Sequence, residues 1–228
     1  MDQMTLENKV SYVDFLWRPI IEDYEKYFFR PKPLIPTLYH YTNLEGLYGI
    51  LQSNSLWASN INFINDSSEY EYGIALFEDV ARHIKGDLKS SRLRDVLENI
   101  SEMLKIGKEN TYCASFCENK DLLSQWRGYS NGNVGIAIGF ENTHYSALNC
   151  YYEGKLVSGI DSKPCKVIYG YEEGFKCIEG LFHKMDDFLA NNEEIKFIKD
   201  YEPVQSIVFS LNEIVPLFKD KAFVEEDE

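Results

Sequence analysis

The sequence predicts an α+β fold in a single domain, with a mixed or antiparallel sheet and packed helices, on three observations. Residues 37–59 read as strand, helix and short strand in succession. The run Val134-Gly-Ile-Ala-Ile-Gly-Phe140 is apolar almost without interruption, the pattern of a strand buried on both faces and so of the sheet's centre. Several longer stretches repeat apolar residues at helical spacing, and neither a repeat nor a low-complexity linker divides them.

The opening strand, Thr37-Leu-Tyr-His-Tyr41, has period two, which puts Leu38 and His40 on one face and Tyr39 and Tyr41 on the other. Thr42 with Glu45 fits a capping box, so a helix is expected to begin about Asn43. Its stripe Leu44, Leu47, Tyr48 and Leu51 would pack back on the sheet, and Leu56-Trp-Ala-Ser59 would be the second strand. A strand feeding a helix start beside His40 is a seat for an anionic ligand, although a lone His at a strand end is more often a hydrogen-bonded structural residue.

Upstream, residues 1–36 read as a helical arm with apolar positions from Val10 to Phe28, ended by Pro31, Pro33 and Pro36. Residues 37–228 form the main domain. Asp66 with Glu69 resembles a cap for a helix running to about His83 through Tyr70, Ile74, Phe77 and Val80 or Ala81, and residues 87–106 read as one further helix. Residues 111–116, 151–157 and 165–169 are strand candidates, and helices are expected over 172–189 and 203–215.

The chain has 228 residues, 44% of them hydrophobic, with 16 Tyr and 14 Phe, enough to bury a substantial core. The formal net charge of -14 repels phosphodiester backbones, so any nucleic-acid site would be a local basic patch. No apolar run approaches a membrane span and the first residues lack a signal-peptide pattern, so no membrane partner and a cytoplasmic location are expected. Five cysteines at irregular spacing argue against a disulfide framework, and the Cys113/Cys117 pair has no second ligand pair to complete a zinc site.

No Walker loop, dinucleotide fingerprint, paired-histidine zinc motif or nucleophile elbow is present. Three polar clusters remain: His40 with Tyr39 and Tyr41; Asn65, Asp66 and Glu69, whose simpler reading is a helix cap; and Ser124, Gln125, Trp126, Arg127 and Tyr129. An Arg flanked by aromatics suits bidentate phosphate contact with a stacked planar group, and it equally suits pairing with Asp66 or Glu69. The acidic run Glu225, Glu226, Asp227, Glu228 would ordinarily be a solvated tail.

The blocks Leu38-Tyr-His-Tyr-Thr42, Leu56-Trp-Ala-Ser59, Asn65-Asp-Ser-Ser-Glu69, Ala114-Ser-Phe116, Leu122-Leu-Ser-Gln-Trp-Arg-Gly-Tyr129 and Gly135-Ile-Ala-Ile-Gly-Phe140 occur in an order that resembles a widespread bacterial family of unknown function, over residues 37–228. Lys219, Phe223, Glu226 and Glu228 match that family's closing Lys-x-x-x-Phe-x-x-Glu-x-Glu pattern. There the pattern is usually followed by an aromatic residue, an Arg and a further strand, so the resemblance implies a C-terminally incomplete domain. The order is more distantly similar to ADP-ribosyltransferases, including the DNA-modifying toxin group. That implies a split sheet, NAD as donor substrate, no metal, a protein or nucleic-acid acceptor, and a place in toxin or anti-phage systems. On this resemblance His40 would hold the NAD ribose, Arg127 the pyrophosphate and Tyr129 the nicotinamide face, with Tyr41 and Asp66 or Glu69 lining the cleft. Glu226 or Glu228 would stabilise the developing ribosyl cation, as carboxylates do in glycoside chemistry. Two other readings stand beside it: a non-catalytic nucleotide- or protein-binding module, and a metal-dependent nuclease built on Asp66, Glu69 and Glu71.

Overall fold

The computed structural model describes residues 37–64, 68–108, 111–129, 134–141, 150–152, 155–157, 165–191, 211–212 and 214–226. In chain order these contain β1 (Thr37–Asn43), α1 (Leu44–Ser53), β2 (Ser59–Asn60), α2 (Ser68–Ile84), α3 (Ser91–Leu97), α4 (Ile100–Gly107), β3 (Tyr112–Cys113), α5 (Leu123–Tyr129), β4 (Gly135–Glu141), β5 (Cys150–Tyr152), β6 (Lys155–Val157), β7 (Ile168–Tyr169), α6 (Tyr171–Asn191) and β8 (Phe218–Lys219). Short 3-10 turns occupy Ile61–Phe63, Val215–Leu217 and Lys221–Glu226. The fold is α+β, and its described strand pairs are mixed: β1 with β4 and β5 with β6 run antiparallel, β7 with β8 parallel. The expected N-terminal arm and the start of the helix expected over 203–215 lie outside the described residues. Described helices include none long and apolar enough to cross a membrane.

The residues fall into two compact units: unit 1 comprises Met1–Tyr27, Asn60–Thr111 and Ile168–Lys221, and unit 2 comprises Phe28–Ser59, Tyr112–Val167 and Ala222–Glu228. Unit 1 is built around α2, whose spacing buries Tyr70, Ile74, Phe77, Val80, Ala81 and Ile84 as the sequence pattern requires. Phe77 meets Phe182 of α6 and Phe218 of β8 edge to face, with centroids 5.9 and 5.6 Å away. Gly73 admits the 3-10 turn, since a Cβ there would lie 2.5 Å from the Val215 carbonyl oxygen. The single helix expected over 87–106 is two, α3 and α4, interrupted at Glu98 and Asn99. The start of α3 is held by the buried Asp186, whose carboxylate accepts from the Lys89 and Ser90 amides at 2.9 and 2.8 Å, while the Ser90 side chain caps the helix.

Unit 2 is organised on β1. Its ladder with β4 runs from Thr37 opposite Glu141 to Asn43 opposite Gly135. On its other side Tyr39 and Cys117 exchange both backbone bonds, each 2.8 Å long. β1, not residues 134–140, is therefore the strand flanked on both sides; in β4 every residue is half-buried or exposed, and among the described residues it pairs with β1 alone. The reason is composition: Gly135, Ala137 and Gly139 supply little side chain to bury, so an apolar run need not be an interior one.

Two other expectations are corrected here. Leu56-Trp-Ala is not strand; pairing begins at Ser59. And α1 is capped by Asn43, whose Oδ1 accepts from the Gly46 amide at 2.8 Å, not by Thr42. Thr42 Oγ1 instead occupies the space a Cβ on Gly46 would need, so the first turn of the helix packs closely on the strand end. α1 has no buried residue, and most of its predicted inward stripe faces out: Leu44, Tyr48 and Leu51 are 52%, 67% and 71% exposed, while Leu47 is half-buried.

Candidate functional site

Alternation along β1 sends His40 and Tyr41 to opposite faces, and each face has its own lining. On the His40 side, Phe116 lies 5.8 Å from the imidazole, ring to ring, and itself meets Phe140 edge to face at 5.6 Å. His40 Nδ1 is 2.9 Å from the Ser115 carbonyl oxygen. A carbonyl only accepts, so Nδ1 carries the proton, and in the neutral ring Nε2 keeps its lone pair. Among the described residues Nε2 has no hydrogen-bond partner. The imidazole is half-buried, oriented by one carbonyl and presents one acceptor.

On the other face Tyr41 is a buried strut. Its hydroxyl donates to the Asn119 carbonyl at 2.9 Å and accepts from the Leu122 amide at 3.0 Å, which pins the turn entering α5. Trp126 packs on the Tyr41 ring edge to face at 4.7 Å, and its indole N–H donates to Asp121 Oδ1 at 2.8 Å. The Gln-Trp-Arg-Gly segment is thus helical and fixed to β1 through Trp126, with Gln125 buried beside it. Arg127 projects outward, exposed, and makes no ion pair among the described residues; Tyr129 is half-buried.

The structure thus gathers His40, Tyr41, Arg127 and Tyr129 into one unit, but with His40 on the face of β1 opposite to Tyr41 and Trp126. A ligand touching both His40 and α5 has to pass round the end of the strand. Glu69 belongs to unit 1, where its carboxylate pairs with Lys219 at 3.1 Å, with only 14% and 6% of the two side chains exposed. Two blocks of the family-like pattern, the one ending at Glu69 and the one starting at Lys219, meet in that ion pair. Glu71 pairs separately with Lys108 at 3.1 Å. Of the three carboxylates of the nuclease reading, Glu69 and Glu71 thus each pair with a different lysine. Glu226 ends the 3-10 turn Lys221–Glu226, while Asp66 and Glu228 lie outside the described residues.

Sequence reasoning passed over Tyr41 as a strut and Lys219 as the partner of Glu69. Only the motif pattern marked the second. Both depend on contacts 78 to 150 residues apart in the chain, which local spacing does not encode.

Residues 125–228 match a family model described as "Protein of unknown function (DUF2971)". The match begins within α5, so it takes in the Gln-Trp-Arg-Gly helix, β4 and the closing Lys219 block, while the blocks at 37–69 precede it. Neither the curated proteins nor the solved structures contain a match.

Proposed function

We propose that this protein is an ADP-ribosyltransferase-like protein that takes NAD as donor and a macromolecule as acceptor, with unit 2 as the NAD-binding part. One observation carries the reading: a strand-borne His40 whose tautomer is set by the Ser115 carbonyl, leaving Nε2 as a hydrogen-bond acceptor beside an aromatic ring. Such an acceptor suits a ribose hydroxyl, and the Phe116 ring offers a flat apolar surface. Exposed Arg127 supplies the charge a pyrophosphate needs, from the helix that Tyr41 and Trp126 hold to the same strand. The chemistry requires a carboxylate near the anomeric carbon, the role assigned to Glu226 or Glu228. His40 orients the ribose; it exchanges no proton in the bond-breaking step.

The test is release of nicotinamide from NAD, with and without protein and nucleic-acid acceptors. Release by the native chain that falls roughly 100-fold or more in Glu226→Gln/Glu228→Gln supports the reading, that being the usual scale for loss of a transition-state electrostatic partner. Binding of NAD without release would leave the nucleotide-binding module as the function. Absence of any stabilisation by millimolar NAD would overturn both, because a ligand of the native state raises its apparent stability by mass action.

A further inference from the structure

α5 has 7 residues, and a helix of that length does not hold itself together in water, so the place of Arg127 is set by whatever grips α5 from outside. Among the described residues a closed circuit of bonds does so, and it leads back to one side chain. Tyr41 Oη donates to the Asn119 carbonyl at 2.9 Å and accepts from the Leu122 amide at 3.0 Å, fixing the chain just before the helix at two points. The Leu122 carbonyl in turn accepts from the Trp126 amide at 3.0 Å, and Arg127 is the next residue. Asp121 closes the circuit: its amide donates to Asn119 Oδ1 at 3.0 Å, and its own Oδ1 accepts from the indole of Trp126, whose ring packs on Tyr41. Tyr41 is 3% exposed with its hydroxyl engaged as donor and as acceptor, so it is placed to hold α5 and not to touch a ligand.

We infer that Tyr41 is a positioning residue for the phosphate-binding end of the NAD site, its hydroxyl setting the place of α5 and, through α5, that of the Arg127 guanidinium. The inference rests on the reading of unit 2 as an NAD site with Arg127 at the pyrophosphate. Because neighbours on a strand point to opposite faces, β1 then serves both ends of the dinucleotide from adjacent residues, His40 meeting the ribose and Tyr41 holding the helix that carries the cation. Bidentate contact between guanidinium and phosphate depends on orientation, so a displacement of α5 by about 1 Å is enough to weaken it. Tyr41→Phe keeps the ring against Trp126 and takes one partner from two backbone groups at once, the Asn119 carbonyl and the Leu122 amide.

The test is calorimetric titration of NAD into four versions of the full chain: native, Tyr41→Phe, Arg127→Ala and the two substitutions together. Arg127→Ala should weaken binding roughly tenfold or more, the scale of a hydrogen bond to a charged group. Tyr41→Phe should weaken it by roughly threefold or more, and should change nothing further once Arg127 is gone, because a positioning residue acts only through the group it positions. Hydrogen exchange without ligand gives an independent readout: the amides of 122–127 should exchange faster in Tyr41→Phe while those of α2 keep the native rate. The control, Tyr48→Phe, alters an exposed phenol of the same unit and should match the native chain in both measurements. A native chain with no measurable affinity for NAD overturns the NAD reading and this inference with it. Where the native chain binds, that reading stands and the inference alone is overturned by Tyr41→Phe binding as tightly as the native chain, by a further loss in the double variant, or by unchanged exchange at 122–127.

Discussion

Replacing Lys219 by Met would remove the ammonium that lies 3.1 Å from the Glu69 carboxylate, in a site where 14% of the Glu69 side chain is exposed. At 3.1 Å the pair's direct attraction is about 5 kcal/mol with an effective dielectric near 20, and it is opposed by the cost of having taken both charges out of water. The net value of the pair is therefore small, but removing one member leaves the other's buried charge without its nearest opposite charge. Each of Lys219→Met and Glu69→Leu alone should lower unfolding free energy by about 3–5 kcal/mol. The double substitution should return to within about 1–2 kcal/mol of the native chain, because both buried charges are then removed together. The assay is urea unfolding followed by circular dichroism, with the denaturant slope unchanged so that midpoints compare stabilities. Additive losses in the double variant, or single losses below about 0.5 kcal/mol, would refute the account of this pair as a mutually dependent buried link between β8 and the start of α2.

Four further outcomes are expected. Phe77→Ala should cost about 3–5 kcal/mol, as it empties a fully buried site and deletes two edge-to-face contacts, measured by the same unfolding curve. Burial pushes the Tyr70 hydroxyl from 10.0 up to about 12. The neutral phenol is favoured by folding, so its contribution is complete below pH 10 and is lost as pH rises through about 12; Tyr70→Phe should flatten this alkaline decline while losing about 1 kcal/mol at neutral pH from the bond to Asn212. Gly46→Ala should destabilise the start of α1 through overlap with Thr42 Oγ1, whereas Gly49→Ala, which meets nothing within 4 Å, should be neutral or stabilising in thermal melts. Burial also raises the Cys177 thiol from 9.0 to about 11, so a thiol reagent at neutral pH should reach Cys177 only on unfolding, read by mass spectrometry of the labelled peptide.

Much of the fold could be read from residue spacing. The α2 face through Tyr70, Ile74, Phe77 and Val80 followed from helical periodicity because that stripe is buried in the core, and the helix expected over 172–189 is there as α6. Where a side chain is small or a cap competes, spacing misled. The Gly-Ile-Ala-Ile-Gly run looked interior but packs little, and most of the apolar stripe of α1 faces out. The candidate site was legible as residue types, His40 on a strand and Arg127 beside Trp126, but not as an arrangement. Strand alternation, visible in the sequence itself, already separated His40 from Tyr41; what it did not reveal is that Tyr41 recruits α5 to its own side.

The proposed role of His40 Nε2 as ribose acceptor for NAD can be read from long-range proton–nitrogen NMR correlation of the histidine side chains. Of the chain's 4 histidines, His40 is predicted to show the Nδ1–H tautomer without ligand, and its Nε2 signal to move on addition of NAD while those of His83 and His183 do not. An Nε2–H tautomer in the free protein, or a His40 Nε2 signal indifferent to saturating NAD, would rule that role out.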